Sequence, residues 1–254
     1  MSTPAAAYLD LFSRPLVQSP ASRAYHAQFM ETNDHVLWLS RLRLPRTPNW
    51  LDTLVEHGVK PRGVLHVGAH YGLELESYLA KGCQRVTFFE ASPLVLGQLR
   101  AHVEFWREWL TNLGVPEPMT IEVVECAVSD CEGTREMYLT ELEMLSSLQP
   151  PSADWIRVQH QQSVACARLD TLVKRPEDYN ILNLDVQGHE LSVLTGAVGT
   201  LSGLDAILVE LNFTPRYQNC ALAAEVNRWL ADAGWTCVSQ SRYGDVADAL
   251  YLRA

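Results

Sequence analysis

The chain has 254 residues, 47% of them hydrophobic, and a net charge of −10 from 30 acidic and 20 basic side chains. That is ample for one sizeable core, and the acidic balance offers no general attraction to a phosphate backbone or an anionic membrane. No apolar run reaches the ~18 residues of a membrane span. The N-terminus has no Lys or Arg before its mildly apolar part, which Asp10 interrupts, so it does not read as a signal peptide. Cys83, Cys126, Cys131, Cys166, Cys220 and Cys237 form no C-x-x-C pair. They read as reduced thiols of a cytoplasmic protein, not as a disulfide framework or a zinc site.

Residues 1–60 read as a helical extension, a lid or a homodimer element. Tyr25, Phe29, Val36, Leu37 and Leu39 follow helical spacing, and Pro45 and Pro48 break it. Asn49 is placed to cap a short helix running to Gly58.

From Gly63 the pattern alternates over a second unit, residues 61–254. "GVLHV" is a buried strand, and "YGLELESYLAKG" is a helix ended by Gly82. "RVTFFE" is the second strand. Ser92 and Pro93 then suit the N-cap and first position of a long helix. That helix carries Leu99, Val103, Trp106, Leu110 and Leu113 on one face. "TIEVVECAV" is a third strand. An insertion over about 138–169 follows, with strand-like ends around Pro150 and Pro151, and it is a candidate substrate cover. "YNILNLDV" is a fourth strand, Gly188 to Leu201 a helix, "LDAILVEL" a fifth strand, and "ALAAEVNRWLADAG" a helix. "WTCVSQ" and "VADALYLRA" close the chain as strands.

Alternating strands and helices predict an α/β fold with a parallel sheet covered on both faces. The last two strands are joined only by about Ser241 to Asp245, too short for a parallel crossover, so they must be antiparallel. A doubly wound, mostly parallel sheet with an antiparallel C-terminal strand is the class I methyltransferase (Rossmann-like) architecture. A dinucleotide dehydrogenase has a fully parallel sheet.

The turn "LHVGAHYG" carries glycines only at Gly68 and Gly72. A pyrophosphate needs the several free N–H groups of a three-glycine turn, so this turn suits a ligand without phosphates. Glu90 ends the next strand about 20 residues on, where a carboxylate accepts ribose hydroxyls. The two features together point to an adenosine ligand. S-adenosylmethionine fits, because its amino group can use the carbonyls around Gly68.

The runs "VGAHYG", "FFEASP", "AVSD", "RLDTL", "LNLDVQGHELSVLTGA" and "ILVELNF" resemble the FkbM family of methyltransferases, from about Gly63 to Phe213. The resemblance implies S-adenosylmethionine as cofactor and O-methylation of a small hydroxylated acceptor, such as a sugar or polyketide. Nucleic acid and membrane are not implied as partners. It places Gly68, Ala69 and His70 along the methionine part and Glu90 on the ribose. Ala91, Cys126 and Ala127 fall beside adenine, and Asp185 lies between cofactor and substrate. Two departures are His66, where many members have an acidic residue, and His189.

An alcohol needs a base as its proton leaves. The candidates are Asp185, His189, His70 and Glu210, with Asp185 and His189 taken as catalytic. A divalent cation held by Asp185, Glu210 and Asn212 is not favoured, because no D-D or D-x-D cluster supports it.

Overall fold

A computed structural model describes residues 50–112 and 119–254. The helical spacing from Tyr25 to Leu39 and the Asn49 cap lie outside them. The described chain begins with α1 (Trp50–Glu56), β1 (Gly63–Val67), α2 (Leu75–Ala80), β2 (Arg85–Glu90), α3 (Leu96–Asn112) and β3 (Thr120–Glu125). It continues with β4 (Ala127–Val128), β5 (Gly133–Thr140), β6 (Val158–Ala167), α4 (Leu169–Leu172) and β7 (Ile181–Leu184). The last elements are α5 (Glu190–Thr195), α6 (Val198–Leu201), β8 (Ala206–Asn212), α7 (Ala223–Asp232), β9 (Trp235–Tyr243) and β10 (Val246–Arg253).

The main sheet has the order β3-β2-β1-β7-β8-β10-β9. Pairs among β3, β2, β1, β7 and β8 are parallel, and β10 is antiparallel to both its neighbours. The expected antiparallel closure is therefore present, through a tight turn in which Gly244 takes φ 65°. Strand order reverses between β1 and β7, and a crevice opens at such a switch point beyond the carboxyl ends of the strands.

Alternation along the buried strands divides the core in two. Val64, Phe88 and Ile181 pack against α1, α2 and α3, with Leu51, Tyr78 and Leu99. Leu65, Val67, Phe89 and Leu184 face the opposite side, with Val193, Leu194 and Val226 of α5 and α7. Each such side chain contributes ~1.5–3 kcal/mol by leaving water.

Four expectations needed correction. First, α2 starts only at Leu75, because left-handed backbone at His70 (φ 51°) and Gly72 (φ 68°) keeps the chain out of the helix. Second, α3 starts at Leu96 and the Ser92 hydroxyl does not cap it; the Ser92 carbonyl accepts from Val95 and Leu96 N–H at 3.2 and 3.3 Å.

Third, "TIEVVECAV" is two strands. At Cys126 the chain turns, its N–H donating to Glu90 O at 3.1 Å, and β4 joins a separate sheet of order β4-β6-β5. The insertion is the β5–β6 hairpin of that sheet and begins at Gly133, earlier than expected. Fourth, the helix from Gly188 to Leu201 is broken. Gly196 O accepts Asp170 N–H instead of continuing the ladder, and the Asp170 carboxylate caps α6 through Gly199 and Thr200 N–H at 3.1 and 2.7 Å.

Candidate active site

The turn after β1 is held against its neighbours on both sides. Gly68 and Ala69 N–H both donate to Phe89 O, at 3.0 and 3.2 Å. A Cβ on Gly68 (φ 79°) would stand 1.6 Å from the Asp185 carbonyl oxygen. The clearance at Gly68 thus serves the protein's own backbone, since the tips of β1 and β7 nearly touch. A Cβ on Gly72 would lie 2.8 Å from Leu99 Cδ1, so that glycine admits α3 rather than the helix that follows it.

Glu90 is 7% exposed. Its Oε2 accepts His70 N–H at 2.7 Å, and its Oε1 accepts Ala91 and Ser92 N–H at 2.9 and 2.7 Å. Burial raises its pKa, and the three backbone donors work against that rise. The carboxylate is fixed in direction, with lone pairs left for a ligand.

Beyond these tips lies a cavity of about 1040 Å³. Gly68, Ala69, His70, Glu90, Ala91, Cys126, Ala127, Asp185 and His189 all line it. The chain between Gly68 and His189 is 120 residues long, and the parallel strands bring the two to one edge. Glu143, Met144, Ser146 and Ser147 of the β5–β6 insertion form part of the wall. Tyr71 Oη donates to Glu143 Oε1 at 2.6 Å, tying that wall to the turn after β1.

The sheet supplies the floor. Register places His66, Asn183, Leu208, Leu250 and Ser239 in one row across five strands. Glu210, Asp248 and Ser241 form the next row, and Asp185 extends it from the tip of β7. Tyr243 Oη donates to Asp248 Oδ1 at 3.0 Å, with Glu210 Oε1 at 3.4 Å. Eight carboxylates line the cavity, and among the described lining residues there is no lysine or arginine.

Gln187 organises the acidic edge. Its Nε2 donates to Asp185 Oδ1 at 2.7 Å and to Glu210 Oε2 at 3.0 Å, and its Oε1 accepts Tyr217 Oη at 2.9 Å. Its carbonyl accepts Ser147 Oγ at 2.7 Å. Burial first, then neighbouring carboxylates, pushes Glu210 up to about 9. Desolvation by the surrounding protein also raises Asp185, to about 6, although its side chain is open to the cavity and the Gln187 amide opposes the rise. Both shifts favour the protonated form, Glu210's more strongly than Asp185's. Asn212, two residues beyond Glu210, is 1% exposed, and neither of its amide atoms has a partner among the described residues. Among the described residues, no group of three or more His, Cys, Asp or Glu is arranged to hold a metal ion.

His189 is buried, with Nε2 2.8 Å from Ser129 Oγ and Nδ1 3.0 Å from Gln149 Nε2. Burial lowers its pKa to about 4, so its ring is neutral. His66 is also neutral, lowered to about 3 by burial, and Tyr78 Oη lies 3.1 Å from its Nδ1. Sequence reasoning missed Gln187, Asn183, Tyr243 and Asp248. Strand register, which no local motif encodes, brings Asn183, Tyr243 and Asp248 to the site, whereas Gln187 lies in the turn two residues after Asp185.

The donor set suits S-adenosylmethionine. Glu90 offers a fixed carboxylate of the kind a ribose requires, the other carboxylates suit a cationic ligand, and among the described lining residues there is no basic side chain and no three-glycine turn for a pyrophosphate. Fold and site together define a class I methyltransferase domain, whose cofactor is S-adenosylmethionine. The FkbM methyltransferase domain matches residues 66–236, and the chain belongs to that family.

Among solved structures, a methyltransferase FkbM from Methylobacillus flagellatus KT is 15% identical with a TM-score of 0.52. The match covers 76% of this chain and 44% of that one, so the chain spans less than half of that protein's length. Magnesium protoporphyrin IX methyltransferase from Synechocystis PCC 6803, solved with bound S-adenosylmethionine, is 13% identical with a TM-score of 0.43, covering 100% and 99% of the two chains. None of the curated proteins matches. No helix among the described residues is long and apolar enough to cross a membrane.

Proposed function

We propose that the chain O-methylates a hydroxyl of a small, uncharged or amine-bearing metabolite, with Asp185 as the base. The observation that carries this reading is the position of Asp185. It is a carboxylate at the tip of β7 that stands open to the cavity, its backbone against Gly68 and its side chain directed by Gln187, with its pKa raised to about 6. Bound S-adenosylmethionine supplies an electrophilic methyl on a sulfonium leaving group. The chain's own part is alignment and proton removal. Orientation contributes up to ~7–11 kcal/mol in ideal cases, and a positioned base ~10²–10⁴-fold.

A base with a pKa near 6 is ionised at neutral pH and still basic enough to take a proton from an acceptor already being alkylated. Glu210 beside it has its pKa raised by burial, which disfavours a second negative charge there. The acid-lined floor opposes acceptors that carry carboxylate or phosphate, which argues against carboxyl methylation. An amine acceptor is the second reading, because the same carboxylates would attract its cation. His189 supports the wall and is not the base in this proposal, as both its ring nitrogens are engaged.

A labelled-methyl transfer test over polyols, amino sugars, phenols, carboxylic acids and phosphates decides among these. Transfer to a hydroxyl is expected. Transfer only to carboxylate oxygen, or binding of NAD in place of S-adenosylhomocysteine, would sink the reading.

A further inference from the structure

We propose that Cys131 and Cys166 form a peroxide-sensitive thiol pair, in which a hydroperoxide oxidises Cys131 and Cys166 then closes a disulfide on it. The pair lies at the base of the β5–β6 hairpin, and the proposal makes no use of the methyl-transfer reading. Both cysteines are free thiols. Cys131 is part-exposed in the turn before β5, and Cys166 is 3% exposed near the end of β6. Register sets Cys166 opposite Gly133, two residues beyond Cys131. The Cys166 thiol donates to the Cys131 carbonyl at 3.7 Å, and the Cys131 side chain is also one of its hydrogen-bond partners. The two side chains share one apolar cluster with Ala127 and Met137.

The surroundings of the two sulfurs set different roles. Arg135 Nε and Nη2 both donate to Cys131 Sγ, at 3.3 and 3.2 Å. Asp130 Oδ1 lies 3.6 Å from the same Nη2 and leaves both sulfur contacts in place. A guanidinium on a partly exposed sulfur is the setting of a reactive cysteine, because it steadies the anion that attacks a peroxide. Cys166 is the buried member. Burial raises its pKa to about 11, so it stays a thiol until its neighbour is oxidised. An accessible reactive sulfur with a second thiol beside it is the arrangement that ends in a disulfide.

The chemistry balances with a hydroperoxide as the oxidant. The Cys131 sulfur takes the outer peroxide oxygen as the O–O bond breaks, giving the sulfenic acid. The thiol proton leaves with the other oxygen, as water or an alcohol. The Cys166 sulfur then displaces the sulfenic hydroxyl, and its own proton leaves with that hydroxyl as water. The peroxide is reduced and the thiol pair oxidised. The new bond closes a ring over residues 131–166, which holds the hairpin and its Glu143–Ser147 part of the cavity wall.

The test treats the whole protein with a few equivalents of hydrogen peroxide and alkylates the remaining thiols. Peptides are then mapped by mass spectrometry without reduction. A Cys131–Cys166 cross-link that dithiothreitol reverses is expected in wild type. In Cys166→Ser a dimedone adduct should appear on Cys131, and in Cys131→Ser none should appear on Cys166. After oxidation the melting temperature should rise by several degrees in wild type and in neither variant, because the cross-link restricts the unfolded chain.

Both cysteines recovered as alkylated thiols would overturn the proposal, whatever happens at the exposed Cys237. So would a cross-link from Cys131 to Cys126, or a dimedone adduct on Cys166 in Cys131→Ser. A Cys131–Cys166 cross-link that lowers the melting temperature would also count against it, because the native fold would then not hold the two sulfurs in place for a bond.

Discussion

Gly68 and Asp185 meet backbone to backbone: a Cβ on the glycine would overlap the aspartate carbonyl oxygen at 1.6 Å. The proposed base and the cofactor turn are thereby locked together at the switch point of the sheet. Gly68→Ala must separate β1 from β7 and also place a side chain at φ 79°. Overpacking of this kind is destabilising by ~1–3 kcal/mol, and the left-handed backbone adds ~1–2 kcal/mol. A fall in melting temperature of roughly 4–15 °C is expected, with S-adenosylhomocysteine binding lost in calorimetry. A variant that melts and binds like wild type would show that the two tips are not in contact.

The Asp185–Gln187–Glu210 arrangement makes a statement about pH. Asp185 is raised to about 6 and must be ionised to accept a proton, so kcat should climb as pH passes through about 6 and then level off. Asp185→Asn should lower kcat by ~10²–10⁴-fold, with S-adenosylhomocysteine affinity within a few-fold of wild type. A kcat that follows the pKa of an amine acceptor, and ignores Asp185→Asn, would select N-methylation instead.

Glu210 carries the converse prediction, on stability. Its pKa in the fold is raised to about 9, well above its ordinary carboxylate value. Between those two values the unfolded chain gives up the proton while the folded chain keeps it. Stability therefore falls as pH rises across that window. Glu210→Gln removes the titration and can still accept the Gln187 amide. It should melt several degrees above wild type at pH 8, with the gap closing near pH 4. A variant that melts lower at pH 8 would mean Glu210 is ionised in the fold.

Much of this was legible in the sequence, and the limits are physical. β1, β2 and β8 read as continuous apolar runs because both faces are buried, and the tight turn at Gly244 forces β10 antiparallel. Gly68 and Glu90 were legible because both sit at strand tips in local patterns. The missing cap at Ser92 is a local competition, its carbonyl rather than its hydroxyl accepting the Val95 N–H. The breaks at Cys126 and Gly196 were not legible, because each depends on a bond to a distant segment, Glu90 for the first and Asp170 for the second. The acidic floor was invisible for the same reason. Asp248 and Ser241 look like solvent positions until register pairs them with Glu210.

His189 tests whether an engaged histidine can be a base. The Gln149 amide donates to Nδ1, so Nε2 carries the hydrogen and donates to Ser129 Oγ, whose own hydrogen goes to Asp130 Oδ1 at 3.0 Å. Every position on the ring is used inside the protein, so taking a proton from an acceptor would require breaking the Gln149 bond. Its pKa is lowered to about 4, below the ordinary ~6.5 of an unfolded histidine. Between those values the unfolded chain binds the proton and the folded chain does not. The stability His189 contributes is thus present above pH ~6.5 and is lost as pH falls toward about 4. His189→Gln should melt a few degrees below wild type at pH 7.5, and the difference should shrink toward pH 4.5. Its kcat should stay within about tenfold of wild type, less than the ~10²–10⁴ of a lost base. A kcat reduced a hundredfold or more at an unchanged melting temperature would make His189 the base and leave Asp185 to position it.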